Sequence, residues 1–274
     1  MVDLLVDERG VMLDLLESLA PEDWERKTEC PAWSVKGIAL HVLGDDLSLL
    51  SRQRDDAPPG VVWESVDGSW EGLMSPLDEF NERWVAAASF FSTPLLIDLL
   101  RMSGEATHAW YAAVDRARLG GEAVVWVSPE PAPYWLLAAR EYVERWTHQL
   151  QIRRSVGRPG LSDDHFVVPA VAVIMRGYPQ ALASLASPSG TTVTVAIDAA
   201  SPVAWTLRRD GDRWTLLDGE PEEPSVRLAL DVAAAAALFS RGLRRDEAAR
   251  SVGISGDEQL GTALVAGMAA FFGR

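Results

Sequence analysis

The spacing of apolar residues changes once along this chain, and that change limits the folds the chain can adopt. Up to Ser187-Pro188-Ser189-Gly190 the apolar residues recur about every 3.6 positions, which is typical of helices. Beyond this segment they alternate with a period of about 2, which is typical of strands. The order predicts an all-α domain followed by an α+β domain. The boundary falls between about residues 157 and 190, and we predict domains at 1–160 and 161–274.

Hydrophobic periodicity and stop signals place the individual elements. Prolines and glycines punctuate residues 57–76, which are therefore predicted to form a loop that contains Trp63 and Trp70. Pro94 predicts a kink or break near Thr93. The predicted helices are 3–19, 34–54, 77–102, 104–118, 134–156, 165–186, 231–240 and 257–272. The predicted extended segments are 123–128, 192–199, 202–210, 213–219 and 225–231, with a hairpin turn at Asp210-Gly211.

Composition restricts the partners and the compartment. The 274 residues carry a formal net charge of −15 with a sequence pI near 4.7, which disfavours nucleic acid and anionic membrane surfaces as partners. Cys30 is the single cysteine, so neither an intramolecular disulfide nor a cysteine-based zinc knuckle can form. The sequence shows no secretory signal and no apolar run of ~18 residues, which predicts a cytoplasmic protein. The acidic composition is compatible with a monomer or a weak homodimer.

Three residues in the helical part have the pattern of an open metal site. Glu144 and His148 are four residues apart, so both side chains can project from one helix face toward a single point. One more ligand from a facing helix would complete a site with two histidines and one carboxylate, as in catalytic zinc and non-haem iron centres. His41 lies mid-helix in an apolar stripe and could supply it. The alternatives are a structural Glu-xxx-His pair and a core histidine that is satisfied by hydrogen bonds.

Other chemically active residues have simpler interpretations. Asp45, one turn after His41, either supports that histidine or is a surface acid. We expect Cys30 to be a buried structural thiol rather than a nucleophile, because no basic residue lies nearer to it in sequence than Lys27. His108 and His165 fit structural roles. Arg52 and Arg54 lie at the end of the His41 helix and are expected to be solvated there. Trp33, Trp63 and Trp70 could wall a cleft over a metal.

Several stretches of the sequence resemble a known family. TECPAWSVKGIALHVLGDDLSLLSRQRDD (28–56) resembles the Cys-Pro loop and histidine helix of the DinB-like bundle proteins typified by mycothiol-dependent maleylpyruvate isomerase. REYVERWTHQLQIRRSVGRPG (140–160) is similar to the Glu-xxx-His helix of that family. The strand-rich residues 192–230 and the start of the last helix, ISGDEQLGTALVAGM (254–268), resemble its second domain.

The resemblance implies a fold, a ligand set and a chemistry. The fold would be a DinB-like four-helix bundle followed by a small α+β sterol-carrier-like domain. The metal ligands would be His41, Glu144 and His148, usually for zinc, and mycothiol, the low-molecular-weight thiol of actinobacteria, would be the cosubstrate. Arg241 and Arg244 are the candidates for a catalytic arginine, and Trp33 and Asp45 for contacts with the cofactor.

The implied function is a metal- and mycothiol-dependent transferase or isomerase that acts on a small electrophile. One alternative is a non-catalytic, metal-containing protein of the same fold that binds a small molecule or a partner. A purely structural bundle with a degenerate site is the other. Relatives often have an aspartate two or three residues after the last histidine, where this chain has Leu150 and Gln151.

Overall fold

The computed structural model describes residues 1–60 and 70–271, and the chain divides into two compact units. The first, called the helical unit below, consists of Val2–Arg118 and Gln151–Arg158. The second, called the sheet unit, consists of Met1, Leu119–Leu150 and Pro159–Arg274. The domain limits 1–160 and 161–274 stay a prediction.

The helical unit is built from amphipathic helices around one apolar core. Its helices are α1 (Val2–Glu17), α2 (Val35–Leu49), α3 (Trp70–Ala88), α4 (Thr93–Ala113) and the end of α5 (Tyr134–Ser155). A short 3-10 helix, Pro21–Glu25, precedes α2, and a π-helical turn, Leu50–Arg54, extends it. The core includes Met12, Leu16, Ile38, Leu43, Leu96, Leu100 and Ile152.

Two glycines let large side chains reach the helix backbone in this unit. The indole Nε1 of Trp84 donates a hydrogen bond to the Leu40 carbonyl at 2.7 Å. A Cβ at Gly44 would lie 2.5 Å from that Nε1, so only glycine leaves room for α3 to pack here. A Cβ at Gly104 in α4 would likewise lie 3.1 Å from Cγ of Arg9.

The structure corrects two boundaries predicted in the helical part and confirms a third. Helix α3 begins at Trp70, ahead of the predicted start at residue 77, and contains Pro76. Residues 57–60 of the predicted loop are indeed irregular, whereas 61–69, including Trp63, lie outside the described residues. The predicted break near Thr93 is confirmed: Ser92 caps α4 and Pro94 lies in its first turn, where a missing N–H costs nothing. Helix α4 then runs through Gly104 to Ala113, so the predicted separate helix at 104–118 is wrong.

The sheet unit starts with a two-stranded hairpin and ends in an α+β layer. The hairpin joins β1 (Leu119–Ala123) to β2 (Pro131–Pro133), so the predicted extended segment 123–128 is wrong: most of it forms the intervening turn. The remaining helices are α6 (Asp164–Ile174), α7 (Tyr178–Ala181), α8 (Val232–Phe239), α9 (Arg245–Ser251) and α10 (Glu258–Phe271). The strands are β3 (Thr192–Asp198), β4 (Val203–Asp210), β5 (Arg213–Asp218), β6 (Val226–Asp231) and β7 (Gly253–Gly256).

The five strands form one sheet in the order β5-β4-β3-β6-β7. Strands β3 and β6 are parallel and the other neighbours are antiparallel. The register aligns Val195 with Trp205 on one side and with Leu228 on the other, so these buried residues share one apolar face. The four predicted strands are confirmed within one or two residues, and the observed fold is a helical region followed by an α+β sheet domain.

None of the described helices is both long and apolar enough to cross a membrane.

Candidate functional site

The loop before α2 is a compact turn that ends in a helix cap. The hydroxyl of Thr28 donates to the Trp33 carbonyl at 2.9 Å and accepts from the Cys30 amide at 3.1 Å. The Ser34 hydroxyl then accepts a hydrogen bond from the Gly37 amide, as an N-cap does. This arrangement fixes Trp33 beside the first turns of the helix.

His41 is buried on α2 between an aromatic ring and a carboxylate. Only 6% of the surface of His41 is exposed to solvent. The imidazole stacks on Trp33 with ring centroids 4.5 Å apart and planes inclined by 28°. Its Nε2 lies 3.3 Å from Oδ2 of Asp45, one turn further along the helix. The two residues predicted to contact a cofactor, Trp33 and Asp45, are thus both neighbours of His41.

A second histidine and carboxylate occur together on α5. His148 is 8% exposed, whereas the side chain of Glu144 is 46% exposed. Nε2 of His148 lies 3.7 Å from Oε2 of Glu144, so the predicted i, i+4 arrangement on one face is confirmed.

An ionic cluster in the sheet unit anchors the preceding turn of α5. Arg145 donates to Oε2 of Glu141 at 2.7 Å, and Arg140 donates to Oε1 at 2.6 Å. Arg140 also lies 3.5 Å from Glu122 on β1. Burial alone would raise the pKa of the Glu141 carboxyl, but the two guanidinium groups outweigh it and lower that pKa to about 2. Glu141 is therefore ionised at neutral pH, and α5 is held firmly just before Glu144.

The side chains of the two histidine-carboxylate pairs, on α2 and on α5, are of the kinds that bind a zinc-type ion. Imidazole nitrogens and carboxylate oxygens are ligands that Zn²⁺ accepts, and both imidazoles are withdrawn from solvent. Within residues 1–60 and 70–271 there is no group of three or more His, Cys, Asp or Glu side chains that could hold a metal ion. The ligand set of His41, Glu144 and His148 therefore stays a prediction.

The two arginines predicted for catalysis differ in their surroundings. Arg241 is exposed in the turn after α8, with φ of 63°, a value that favours glycine. Arg244 caps α9 and is engaged by two acids, Asp246 at 3.3 Å and Glu247 at 3.1 Å. The hydrogen bond to Asp246 and the negative charges of both acids raise the pKa of Arg244 and keep its guanidinium occupied.

The remaining sequence candidates have structural surroundings. The Cys30 thiol is partly buried and donates to Oε1 of Gln151 at 3.3 Å. Arg54 is exposed and pairs with the adjacent Asp55, as expected at a solvated helix end. His165 is exposed at the start of α6, and His108 is partly buried on α4.

Sequence reasoning missed the buried ionic pair of the helical unit. Arg9 donates to Oδ2 of Asp46 at 2.9 Å and to the Leu100 carbonyl at 2.8 Å. The Ser103 hydroxyl donates to the same carboxylate oxygen at 2.6 Å. Asp46 shares the helix face of Leu43 and Leu50, so a charge at an apolar position was the signal that could have revealed it.

These features define the class of the protein: a helical unit and an α+β unit, with one histidine-carboxylate motif on α2 and another on α5. The family follows from the sequence itself. Residues 5–153 match the model of the mycothiol maleylpyruvate isomerase N-terminal domain, and the chain belongs to this family. The resemblance of residues 28–56 and 140–160 is thereby confirmed.

Solved structures agree with this assignment at the level of the fold. Two structures of the mycothiol-dependent maleylpyruvate isomerase, one of them a histidine-to-alanine mutant, match with TM-score 0.56 and 12% identity. The match covers 93% of this chain and 91% of each of theirs. Sterol Carrier Protein 2 Like 2 from Aedes aegypti matches 36% of this chain and 94% of its own, with 16% identity and TM-score 0.31, which is too low to establish a shared fold. No curated protein matches the chain.

Proposed function

We propose that this protein binds one divalent metal, most simply zinc, through His41, Glu144 and His148. With mycothiol as cosubstrate it would act as an isomerase or S-transferase on a small electrophile. The observation that carries the proposal is that both family motifs place a buried imidazole one turn from a carboxylate, on α2 and on α5. When bound with an open coordination position, such a metal lowers the pKa of a thiol and holds it as thiolate.

The residues around His41 would orient it. Trp33 covers one face of the imidazole, so the ring cannot rotate freely about its side-chain bonds. Asp45 can accept a hydrogen bond from an imidazole N–H, which fixes the tautomer and makes the other nitrogen a better ligand. We therefore propose that both act as positioning residues.

The reaction would follow from the nucleophilicity of sulfur. The thiolate forms a C–S bond to the electrophilic carbon of an unsaturated acid, and the neighbouring carbon takes up the electron pair. In isomerisation the C–S bond breaks again after rotation and the thiol is recovered. In S-transfer the neighbouring carbon is protonated and the thioether is the product.

An arginine could hold the negative charge of such an acid. Arg241 is exposed, and no ion pair joins it to another described residue, whereas Arg244 is engaged by Asp246 and Glu247. Arg241 has a positive φ, which costs backbone energy in a residue other than glycine. Such strained residues are commonest at functional sites. We therefore propose Arg241 rather than Arg244 as the substrate-binding arginine.

A turnover assay with and without mycothiol tests the function. Purified metal-supplemented protein would be given maleylpyruvate and a panel of small electrophiles, and both product and free thiol would be followed. Unchanged thiol with product formation identifies an isomerase, and one thiol consumed per product identifies an S-transferase. His148→Ala should abolish either activity, whereas His165→Ala, on an exposed histidine, should retain it. Activity that does not depend on mycothiol, or that survives His148→Ala, would overturn the proposal.

A further inference from the structure

Arg209 is a buried cation on the apolar face of the sheet. It lies on β4 in phase with Trp205 and Leu207, and the residue is only 8% exposed. Its Nε and Nη1 atoms are buried, and no described protein group accepts a hydrogen bond from either of them. No carboxylate among the described residues forms an ion pair with it. A buried guanidinium in such surroundings is costly unless something supplies negative charge.

Trp214 adds a second donor at the same place. The register pairs Arg209 with Trp214 across β4 and β5, and the guanidinium carbon lies 5.6 Å from the centre of the indole ring. The cation–π contact offsets part of the cost of burial but accepts no hydrogen bond from the guanidinium. The indole Nε1 is itself buried, with no acceptor among the described residues. Both unsatisfied side chains are therefore donors.

The nearest acid along the strand is engaged elsewhere. Asp210 is adjacent to Arg209 in sequence, but its carboxylate accepts from Nε of Arg208 at 2.9 Å. This pair is exposed on the other face of the strand, and it lowers the pKa of Asp210. Two arginines thus follow each other on the strand. Arg208 forms an ion pair with a carboxylate, whereas Arg209 forms none with any described residue.

We propose that Arg209 and Trp214 form an anion site in the sheet unit that binds a small organic carboxylate. The planar guanidinium presents adjacent N–H groups whose spacing matches the two oxygens of a carboxylate, and the indole N–H can donate to one of them. The guanidinium and the indole N–H are both withdrawn from solvent, which strengthens such charge-assisted bonds. None of the residues proposed to bind the metal takes part, so the anion site does not depend on the proposed function.

The test measures carboxylate binding to the full chain at constant ionic strength. Acetate and succinate would be titrated against chloride and sulfate, with the midpoint of thermal unfolding and calorimetric binding as readouts. We expect saturable stabilisation by a carboxylate in the wild type and in the matched control Arg208→Met. Arg209→Met should remove the response, and its midpoint in chloride should not fall below that of the wild type, because the substitution also removes a buried charge without a partner.

Two milder variants keep the proposal testable if Arg209→Met fails to fold. Arg209→Lys retains the charge but not the planar fork, and Trp214→Phe retains the ring but not the N–H. We expect about tenfold weaker carboxylate binding in the first, and a smaller loss in the second. No carboxylate response in the wild type, preference for sulfate over carboxylate, or unchanged affinity in both Arg209 variants would overturn the proposal.

Discussion

The indole of Trp33 stacks on the imidazole of His41, with ring centroids 4.5 Å apart. The Thr28 hydrogen bond to the Trp33 carbonyl and the Ser34 cap hold this tryptophan at the start of α2. The contact links the loop of the first family motif to its histidine. It gives Trp33 a specific role in the proposed metal site: the indole sets the plane of one ligand.

Gly37 should be required for this stacking. A Cβ at position 37 would lie 2.9 Å from Cβ of Trp33, so Gly37→Ala must displace the indole. We expect metal affinity to fall severalfold, measured by competition with a chromophoric chelator. Gly10→Ala on α1 is the matched control, because nothing lies within 4 Å of its added methyl. That control should stabilise the fold by about 0.5–1 kcal/mol and leave metal affinity unchanged. Equal affinities for Gly37→Ala and wild type would show that Trp33 does not position His41.

The Arg9–Asp46 pair should be a major determinant of stability in the helical unit. Asp46→Leu leaves the buried guanidinium of Arg9 without its carboxylate, so we expect a loss of about 3–5 kcal/mol in the free energy of unfolding. The double variant Arg9→Met, Asp46→Leu should recover much of that loss, because it removes both buried charges. Urea unfolding of the single and double variants gives the coupling energy.

The control for this pair is the exposed ion pair between Arg101 and Glu17. Arg101→Ala should cost less than about 1 kcal/mol, since solvent screens that interaction. A loss for Asp46→Leu no larger than that of Arg101→Ala would contradict the assignment of a buried, coupled pair.

Glu141 should make stability depend on pH in the acid range. Its pKa in the folded protein is lowered to about 2 from its ordinary value of 4.5, so its ionised form stabilises the fold above pH ~4.5. That contribution, on the order of 3 kcal/mol, is lost as the pH falls from about 4.5 to 2. Glu141→Gln should therefore be destabilised at neutral pH, and its difference from wild type should shrink across that interval. A difference that stays constant with pH, measured by urea unfolding, would contradict the ionised state.

Arg241 should show opposite effects on stability and on catalysis. Arg241→Gly removes a side chain from a backbone with φ of 63°, so we expect the fold to gain about 0.5–1 kcal/mol. The same change should raise KM for an anionic electrophile at least tenfold, because a charge-assisted contact is lost. Arg244→Ala is the comparison, since its guanidinium is already engaged by acids. A larger kinetic effect in Arg244→Ala would transfer the proposed role to that residue.

The strands of the sheet could be predicted because their pattern is local. The sequences of β3 to β6 largely alternate larger apolar residues with polar or small ones, and each strand ends at an aspartate, although β3 itself is buried at five consecutive positions. Strand β7 was missed because Gly253–Gly256 is short and half glycine, and only its pairing with β6 makes it a strand. The start of α3 was missed because Pro76 was interpreted as a helix boundary.

The candidate site was predictable only in part, because only residues that are close in sequence produce a local pattern. Helical spacing sufficed for the pair of Glu144 and His148, which are neighbours on one helix. The pair of Arg9 and Asp46 joins residues far apart in sequence, and nothing local pairs them. Arg209 gave a signal that went unused: strand alternation places it in phase with Trp205 and Leu207 on the inward face.

Metal content tests the central claim most directly. Protein purified without a histidine tag, before and after zinc supplementation, would be measured by elemental analysis beside His41→Ala and His148→Ala. Two histidines outside the proposed site, His108 and His165, supply the control alanine variants. The account predicts about one equivalent of metal in the wild type and in both controls, and its loss in both site variants. No stoichiometric metal in the supplemented wild type, or full retention in either site variant, would contradict it.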